Sequence, residues 1–264
     1  MNKRIASIDL LRGVAIIGMI LSANIGYQSG LPAWMFHAQT PPPTYAFNPD
    51  VPGITWVDLV FPFFLFSMGA AFPFAMRKKL DNGMSRWKVA GSLVKRWAIL
   101  TLFAILLGNA YSIWGTSQPA WQIYVFQITI WAGLFLTLVR IKPGDGDSFL
   151  SRHRGTAVNI AGISVLATCA AVFTGHFASD VIIMILAVVA VLGGLIWMFT
   201  KDSLRLRWLV IAFCAMLKAL DSYTPEALEF IPSCGCISWF FSYDYLQYLL
   251  IALPGSIVGD MILS

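Results

Sequence analysis

Long apolar runs, separated by shorter polar segments, dominate the pattern of the chain. Eight of these runs approach the length of about 20 residues that a helix needs to cross a bilayer, and none alternates with a period of two. The pattern therefore predicts an all-α fold, a polytopic membrane helix bundle of about eight transmembrane helices, and disfavours a β-barrel. The predicted spans are Ser7 to Tyr27, Ile54 to Met76, Val89 to Tyr111, Trp121 to Arg140, Thr156 to Gly175, Asp180 to Thr200, Leu204 to Leu220 and Ile237 to Leu263.

Basic residues lie in or beside every second link between the predicted spans, or near the start of span 1, apart from Lys218. They precede span 1, occupy the links after spans 2, 4 and 6, and are absent from the links after spans 1, 3 and 5. Because lysine and arginine are retained in the cytoplasm, this alternation predicts that both termini are cytoplasmic. Residues 28–53 then form an outer loop that caps the mouth of the bundle, and residues 142–154 form a cytoplasmic connector. We interpret residues 1–264 as a single transmembrane domain.

Composition supports a membrane protein and excludes an ordinary soluble enzyme. Of the 264 residues, 58% are hydrophobic and only 12% are charged, whereas about one quarter of an average soluble domain is charged. The net charge of +5 is explained by membrane orientation, so we expect membrane lipid and no nucleic acid as a partner. A homo-oligomer is compatible with the sequence. Cys169 and Cys214 fall in apolar stretches and are expected to pack as small hydrophobic residues, and no metal site is expected.

Charged residues near the cytoplasmic ends of the spans have two open interpretations. Asp9 and Arg12 are three residues apart, so they share a face of span 1 and are expected to pair. The pair is either a structural ion pair or a polar gate or cofactor contact. Arg96 closes a basic cluster that begins at Arg77. This cluster either serves orientation and anionic lipid or attracts a phosphate-bearing cofactor.

The start of span 2 combines a capping pattern with a proline. Thr55 and Asp58 have the T-x-x-D spacing of a capping box, in which Asp58 serves only the first amides of the helix. Pro62 cannot donate to the carbonyl of Asp58, so a carboxylate and a freed carbonyl lie at one depth. Within a membrane such groups are tolerated where they face protein or a wet cavity. This second argument favours Asp58 as a site residue.

His37 in the outer loop and Asn24 at the outer end of span 1 are the other polar candidates. If His37 packs against Asp58, the carboxylate orients the imidazole as a general base requires. A structural role is the alternative for His37. Asn24 either supplies a further hydrogen bond at the same depth or serves as a polar contact between helices.

A familiar combination of motifs covers about residues 4–75. Span 1 opens with S-I-D-x-x-R-G from Ser7 to Gly13, a histidine precedes span 2, and D-L-V-F-P-F-F-L-F runs from Asp58 to Phe66, followed by Gly69. This combination resembles the heparan-α-glucosaminide N-acetyltransferase-like family of transmembrane acyltransferases, especially its bacterial DUF5009-type members. That family usually has more than eight spans, so its C-terminal spans are expected to be absent here.

The resemblance implies acetyl transfer across a bacterial inner membrane. Acetyl-CoA would be the co-substrate on the cytoplasmic side, and an amine or hydroxyl of a sugar or glycan would be the acceptor on the outer side. The family's motif positions imply that His37 deprotonates the acceptor or accepts the acetyl group transiently, that Asp58 orients His37, and that Asn24 holds the acyl carbonyl or the acceptor. The expected cofactor-binding residues are Arg12, Arg96 and Asp9.

Two other functions stay open at this point. A solute or proton-coupled transporter would line its path with Asp9, Arg12, Asp58 and Asp244, and would move its substrate without consuming acetyl-CoA. An inactive, truncated homologue would do neither.

Overall fold

The computed structural model describes residues 6–27, 30–112, 119–139, 141, 149–172, 179–223 and 243–263. Within these ranges the regular structure is entirely helical, which confirms the predicted all-α fold. The α-helices there are α1 (Ala6–Asn24), α2 (Trp56–Asp81), α3 (Arg86–Ser112), α4 (Ala120–Leu138), α5 (Phe149–Val172), α6 (Val181–Thr200), α7 (Leu204–Tyr223) and α8 (Leu249–Leu263), with short 3₁₀ turns at Ala33–Met35 and Tyr243–Tyr248.

Six of these helices are long and apolar enough to cross a membrane: α1, α2, α3, α4, α6, and α8 together with the residues from Tyr245. The protein is therefore an integral membrane protein with a helical architecture, as the sequence predicts. In α7 the apolar pattern is interrupted by Arg205, Arg207, Lys218 and Asp221. That α5 and α7 also cross, and that both termini are cytoplasmic, stay predictions.

The chain forms two compact units. The first contains α1, α2, α3 up to Val94, α6 from Val188, α7 and α8, and the second contains α3 from Lys95, α4, α5 and α6 up to Ala187. The boundaries between the units along the chain therefore fall inside α3 and inside α6. The prediction of one transmembrane domain is not tested by this division.

In the first unit, α2 and α8 meet at their backbones because glycine occupies the contact positions. A Cβ atom on Gly69 would lie 1.8 Å from the carbonyl oxygen of Ala252, and one on Gly255 would lie 2.3 Å from that of Phe66. Real Cβ atoms essentially never approach a neighbour closer than 3.0 Å. The pairing of these two helices therefore requires residues without side chains.

The other contacts of the first unit are made mainly by apolar side chains. α1 lies on α2, where a Cβ atom on Gly18 would meet the side chain of Val60. A separate apolar cluster joins α2, α3 and α6. Its buried members are Phe72, Met76, Val89, Leu93, Trp197 and Met198.

The second unit has its own apolar core, with a hydrogen bond between α4 and α5. Asn159 Nδ2 donates to the carbonyl oxygen of Thr137 at 2.7 Å. Cys169 is buried here and Cys214 is buried in α7, so the expected packing of both cysteines among apolar neighbours is confirmed. The core cluster of this unit contains Leu106, Ile123, Phe126, Ile130, Leu134, Leu166 and Cys169.

Candidate active site

The start of α2 lies beside the outer loop, and there His37 meets Asp58. α2 begins at Trp56, directly after Thr55, whose backbone is extended with φ −104° and ψ 175°. His37 Nδ1 is 2.5 Å from Asp58 Oδ1, although the two residues are 21 positions apart. The contact of His37 with Asp58, on which a catalytic role of His37 depends, is therefore present.

The protonation of the His37–Asp58 pair follows from the chemistry of its two members. An ionised carboxylate only accepts hydrogen bonds, so the neutral imidazole carries its proton on Nδ1 and leaves a lone pair on Nε2. The His37 side chain is 54% exposed, whereas that of Asp58 is 19% exposed. The accessible imidazole thus lies against a shielded carboxylate that accepts its Nδ1 proton, and Nε2 faces away from that contact with its lone pair.

The second carboxylate oxygen of Asp58 accepts hydrogen bonds at the start of α2. Asp58 Oδ2 accepts hydrogen bonds from the Thr55 amide at 2.8 Å, the Thr55 hydroxyl at 3.1 Å and the Ala38 amide at 3.3 Å. The predicted capping box is present. The two interpretations of Asp58 from the sequence are therefore compatible, because the capping box and the contact with His37 use different carboxylate oxygens. The role of Asp58 in a site stays a prediction.

Aromatic packing and polar contacts within the outer loop order the segment that carries His37. Phe36 is 4% exposed, and its ring centroid lies 6.1 Å from that of Tyr27 and 5.0 Å from that of Tyr45. Gln39 Nε2 donates to the Gly53 carbonyl at 3.4 Å. Gly53 has φ +133°, a conformation that residues with a side chain rarely adopt. The loop segment that carries His37 is thereby fixed on both sides of the histidine.

Asn24 occupies the last position of α1 and is turned toward its own helix. Its Nδ2 donates to the carbonyl oxygen of Ile20 at 2.7 Å, and the residue is exposed. This is a local bond from a side chain to the backbone of its own helix, four residues earlier. Among the described residues Asn24 makes no hydrogen bond to His37 or Asp58, so its proposed role depends on a bound substrate.

The predicted cofactor-binding residues are distributed over both units. Arg12 Nη1 lies 3.5 Å from Asp9 Oδ1, which confirms the expected pair, and Arg12 Nη2 donates to the Ser67 carbonyl of α2 at 3.4 Å. Both contacts are long and part of each side chain is exposed. Arg96 is exposed on α3 and belongs to the second unit. Their contact with a cofactor stays a prediction.

Comparison with known proteins identifies the family. A family model described as "Domain of unknown function (DUF5009)" matches residues 4–262. The chain belongs to the DUF5009 family. It is also similar to heparan-alpha-glucosaminide N-acetyltransferase from Homo sapiens, with 31% identity over 106 residues, and to the protein of that name from Mus musculus, with 29% identity over 107 residues.

The similarity to these two relatives is partial. Each match covers 40% of this DUF5009 chain and 14% of the relative. No solved structure matches the chain. The matches confirm the resemblance that the motifs at Ser7 to Gly13 and Asp58 to Phe66 indicate.

The DUF5009 chain also contains a buried polar cluster that the sequence analysis missed. Arg207 of α7 is 1% exposed, and its Nη1 lies 2.6 Å from Asp260 Oδ2 of α8. Trp197 Nε1 donates to the same oxygen at 3.1 Å, and Arg207 Nε donates to the Thr200 hydroxyl at 3.1 Å. One sequence signal was available: Asp260 lies in an apolar helix, where a carboxylate requires a partner.

One buried donor near the site lacks a partner in the described ranges. Trp56 Nε1, in the first turn of α2, makes no hydrogen bond there. The indole lies against α1, since a Cβ atom on Gly18 would be 3.7 Å from Trp56 Cζ3. An unsatisfied buried donor is costly, and the sequence showed no sign of it.

Other predictions concern residues that the structure covers only in part. The side chain of Asp244 and residues 142–148 of the connector lie outside the described residues. In the part of the chain that is described, no three His, Cys, Asp or Glu side chains come together as metal ligands.

Proposed function

We propose that the protein is a membrane acetyltransferase that moves the acetyl group of acetyl-CoA to an amine or hydroxyl group of a sugar. The observation that carries the proposal is the contact of His37 Nδ1 with Asp58 Oδ1 at 2.5 Å. It provides a general base that a carboxylate orients, as acyl transfer to an amine or alcohol requires. The similarity to two heparan-alpha-glucosaminide N-acetyltransferases supports this class of reaction.

The proposed chemistry uses the lone pair of His37 Nε2. In direct transfer, the acceptor nitrogen or oxygen attacks the thioester carbonyl carbon while Nε2 takes the acceptor's proton. The carbon–sulfur bond then breaks, and the leaving sulfur receives that proton from the imidazolium. Asp58 stabilises the imidazolium throughout, and Asn24 is assigned to the acyl oxygen or the acceptor. In a two-step form, Nε2 attacks the thioester carbonyl carbon, the carbon–sulfur bond breaks and CoA leaves as the thiolate. The acceptor then attacks the acetyl carbon, the bond to Nε2 breaks, and the acceptor's proton passes to the thiolate.

The length of α2 supports an arrangement across the bilayer. Its 26 residues extend for about 39 Å at 1.5 Å per residue, more than the hydrocarbon core of about 30 Å. Asp58 lies at the beginning of this helix and the basic residues Arg77 to Lys79 at its end. With the predicted orientation, the His37–Asp58 pair faces the outer side of a bacterial inner membrane, where the sugar acceptor is available.

Acetyl-CoA would then approach from the basic, cytoplasmic side. Arg12, with its weak contacts to Asp9 and Ser67, is proposed to bind its phosphate groups. The exposed Arg96 of the second unit is a separate candidate for such a contact. An exchange of long hydrogen bonds for charge-assisted ones to phosphate would favour such binding.

The test uses the purified full chain in detergent or nanodiscs, with acetyl-CoA and glucosamine. Released CoA thiol and acetylated product, the latter measured by mass spectrometry, report the reaction. We expect His37→Ala to lower the rate by about 100-fold or more, since general base catalysis contributes about that much. His153→Ala is the matched control and should retain the rate. An unchanged rate in His37→Ala, or solute flux in proteoliposomes without acetyl-CoA consumption, would overturn the proposal.

A further inference from the structure

Thr55 connects the outer loop, the His37–Asp58 pair and the start of α2. Its hydroxyl donates to the carbonyl oxygen of Phe36 at 2.7 Å, and its amide donates to Asp58 Oδ2 at 2.8 Å. Phe36 directly precedes His37, and Asp58 binds the His37 ring. One residue thus contacts the backbone beside the histidine and the carboxylate that orients it.

The hydroxyl has one proton and two acceptors within reach. Oγ1 of Thr55 is 2.7 Å from the Phe36 oxygen and 3.1 Å from Asp58 Oδ2. The shorter contact takes the proton, because hydroxyl hydrogen bonds are strongest near 2.7 Å. The Thr55 hydroxyl therefore donates to the Phe36 carbonyl of the loop, while the Thr55 amide donates to the Asp58 carboxylate.

The contacts around His37 show what the loop would lose without this hydroxyl. The Ala38 amide reaches Asp58 Oδ2 at a longer 3.3 Å, and the Thr40 hydroxyl binds the carbonyl of His37 itself at 3.2 Å. The Thr55 hydroxyl makes the shortest of these contacts to the loop backbone. Its removal leaves the carbonyl of the buried Phe36 without that donor and allows the His37 segment to move away from α2.

We propose that Thr55 is a positioning residue: it holds the His37 segment against α2 so that the imidazole meets Asp58 Oδ1 with its proton on Nδ1. The kinetic part of this inference rests on the proposed acetyl transfer. The geometric part does not, because the tautomer of His37 can be observed without any reaction.

The test compares Thr55→Val, which removes the hydroxyl at nearly constant shape and keeps the amide, with Thr55→Ser, which keeps both. Thr44→Val is the matched control, since Thr44 is exposed in the same loop. For Thr55→Val we expect kcat to fall by about 100-fold, the effect of a displacement of about 1 Å in a catalytic group. KM for the acceptor should change much less, and Thr55→Ser should restore kcat.

The second measurement is ¹⁵N NMR of histidine-labelled protein, with the His37 signals assigned by their loss in His37→Ala. Wild type, Thr55→Ser and Thr44→Val should show the proton on Nδ1, and Thr55→Val should shift toward the Nε2–H tautomer that free imidazole prefers. If Thr55→Val is not recovered folded, Thr55→Cys, with its weaker donor, takes its place and should give an intermediate shift.

The two measurements separate the two proposals. An unchanged tautomer in Thr55→Val overturns the positioning role, whatever the kinetics show. A shifted tautomer in a protein whose wild type transfers no acetyl group overturns the proposed function and leaves the positioning role standing.

Discussion

Arg207 and Asp260 are 53 positions apart in sequence, yet Arg207 Nη1 and Asp260 Oδ2 lie 2.6 Å from each other. The arginine side chain is 2% exposed and the carboxylate side chain is 25% exposed. The pair joins α7 to α8, and the Trp197 indole adds α6 through the same carboxylate oxygen. Three helices are therefore linked by one carboxylate at the end of α8.

Removing one partner of the Arg207–Asp260 pair should destabilise the protein strongly. For Asp260→Asn we expect a loss of about 3–5 kcal/mol in the free energy of unfolding, because the Arg207 guanidinium, whose side chain is 2% exposed, loses its charged partner. The double variant Arg207→Met/Asp260→Leu should recover part of this loss. Thermal unfolding in detergent measures the effect.

The matched control is the more exposed pair of Lys218 and Asp221, whose charged atoms lie 3.1 Å apart. Asp221→Asn should cost less than about 1 kcal/mol, because the Lys218 side chain that keeps its charge is 44% exposed. Equal losses in Asp221→Asn and Asp260→Asn would contradict the importance of burial.

Replacing the Asp58 carboxylate by an amide should disable the active site. Asp58→Asn can donate to His37 Nδ1 and thereby favour the wrong tautomer, so we expect acetyl transfer to fall by about 100- to 10,000-fold. Asp50→Asn, an exposed position of the outer loop, should retain the wild-type rate. Initial rates at saturating acetyl-CoA measure both variants, and a rate within threefold of wild type for Asp58→Asn would exclude a catalytic carboxylate.

A methyl group at Gly255 should force α2 and α8 apart. The new Cβ would lie 2.3 Å from the Phe66 carbonyl oxygen, and overpacking of this kind costs about 1–3 kcal/mol. Gly91→Ala in α3 is the control, since nothing lies within 4 Å of its Cβ position. It should stabilise slightly, because alanine favours helix over glycine. Melting temperatures of the two variants should therefore move in opposite directions.

Asp202, in the link between α6 and α7, should make a small, pH-dependent contribution to the free energy of unfolding. A hydrogen bond from the Lys201 ammonium at 2.8 Å, with the nearby charges of Arg86 and Arg77, holds the pKa of the Asp202 carboxyl below its usual value. A lowered folded-state pKa stabilises the protein above the unfolded value of about 3.9 and loses this effect as the pH falls through the folded value.

For Asp202→Asn we therefore expect a slightly lower melting temperature than wild type at pH 7, and no difference well below pH 3.9. About 1 M salt at pH 7 should also remove the difference, since the side chain is exposed. A difference that persists in acid would show that the effect does not come from ionisation.

Asn24→Ala tests the weakest member of the proposed catalytic set. Because the Asn24 side chain is exposed and, within the described ranges, bonds its own helix alone, the melting temperature should change little. Loss of a donor to the acyl oxygen should nevertheless lower kcat by about 100- to 1,000-fold. Unchanged kcat with unchanged stability would remove Asn24 from the site.

The helices could be predicted from sequence because apolar continuity is a local property, and their limits differ where polar residues extend a helix. α3 begins at Arg86 instead of Val89, since the Ser85 hydroxyl accepts a hydrogen bond from the Lys88 amide and caps the helix. α5 begins at Phe149, ahead of the predicted Thr156. Its first turns contain Arg152 and Arg154, so they lack the apolar continuity that marks a span in the sequence.

The candidate site could be predicted only where few side chains were chemically able to pair with each other. A carboxylate in an outer helix turn and a lone histidine in the adjoining loop limited the choice to one pair. Asp260 pairs with Arg207, which belongs to another helix. The sequence contains several other arginines and does not indicate which of them Asp260 contacts. The hydrogen bond of Asn24 to Ile20 was missed because a carbonyl of its own helix competes with the site for the same side-chain amide.

Asp58 has a consequence for how related sequences are interpreted. One of its oxygens contacts the histidine and the other accepts hydrogen bonds at the helix start, so the residue has a role in folding that does not depend on the proposed reaction. A homologue that has lost its reaction would still keep an acidic residue there to fold. Retention of Asp58 is therefore poor proof of an active enzyme, and His37, whose ring has no comparable duty in folding, is the position at which loss of activity would first be seen.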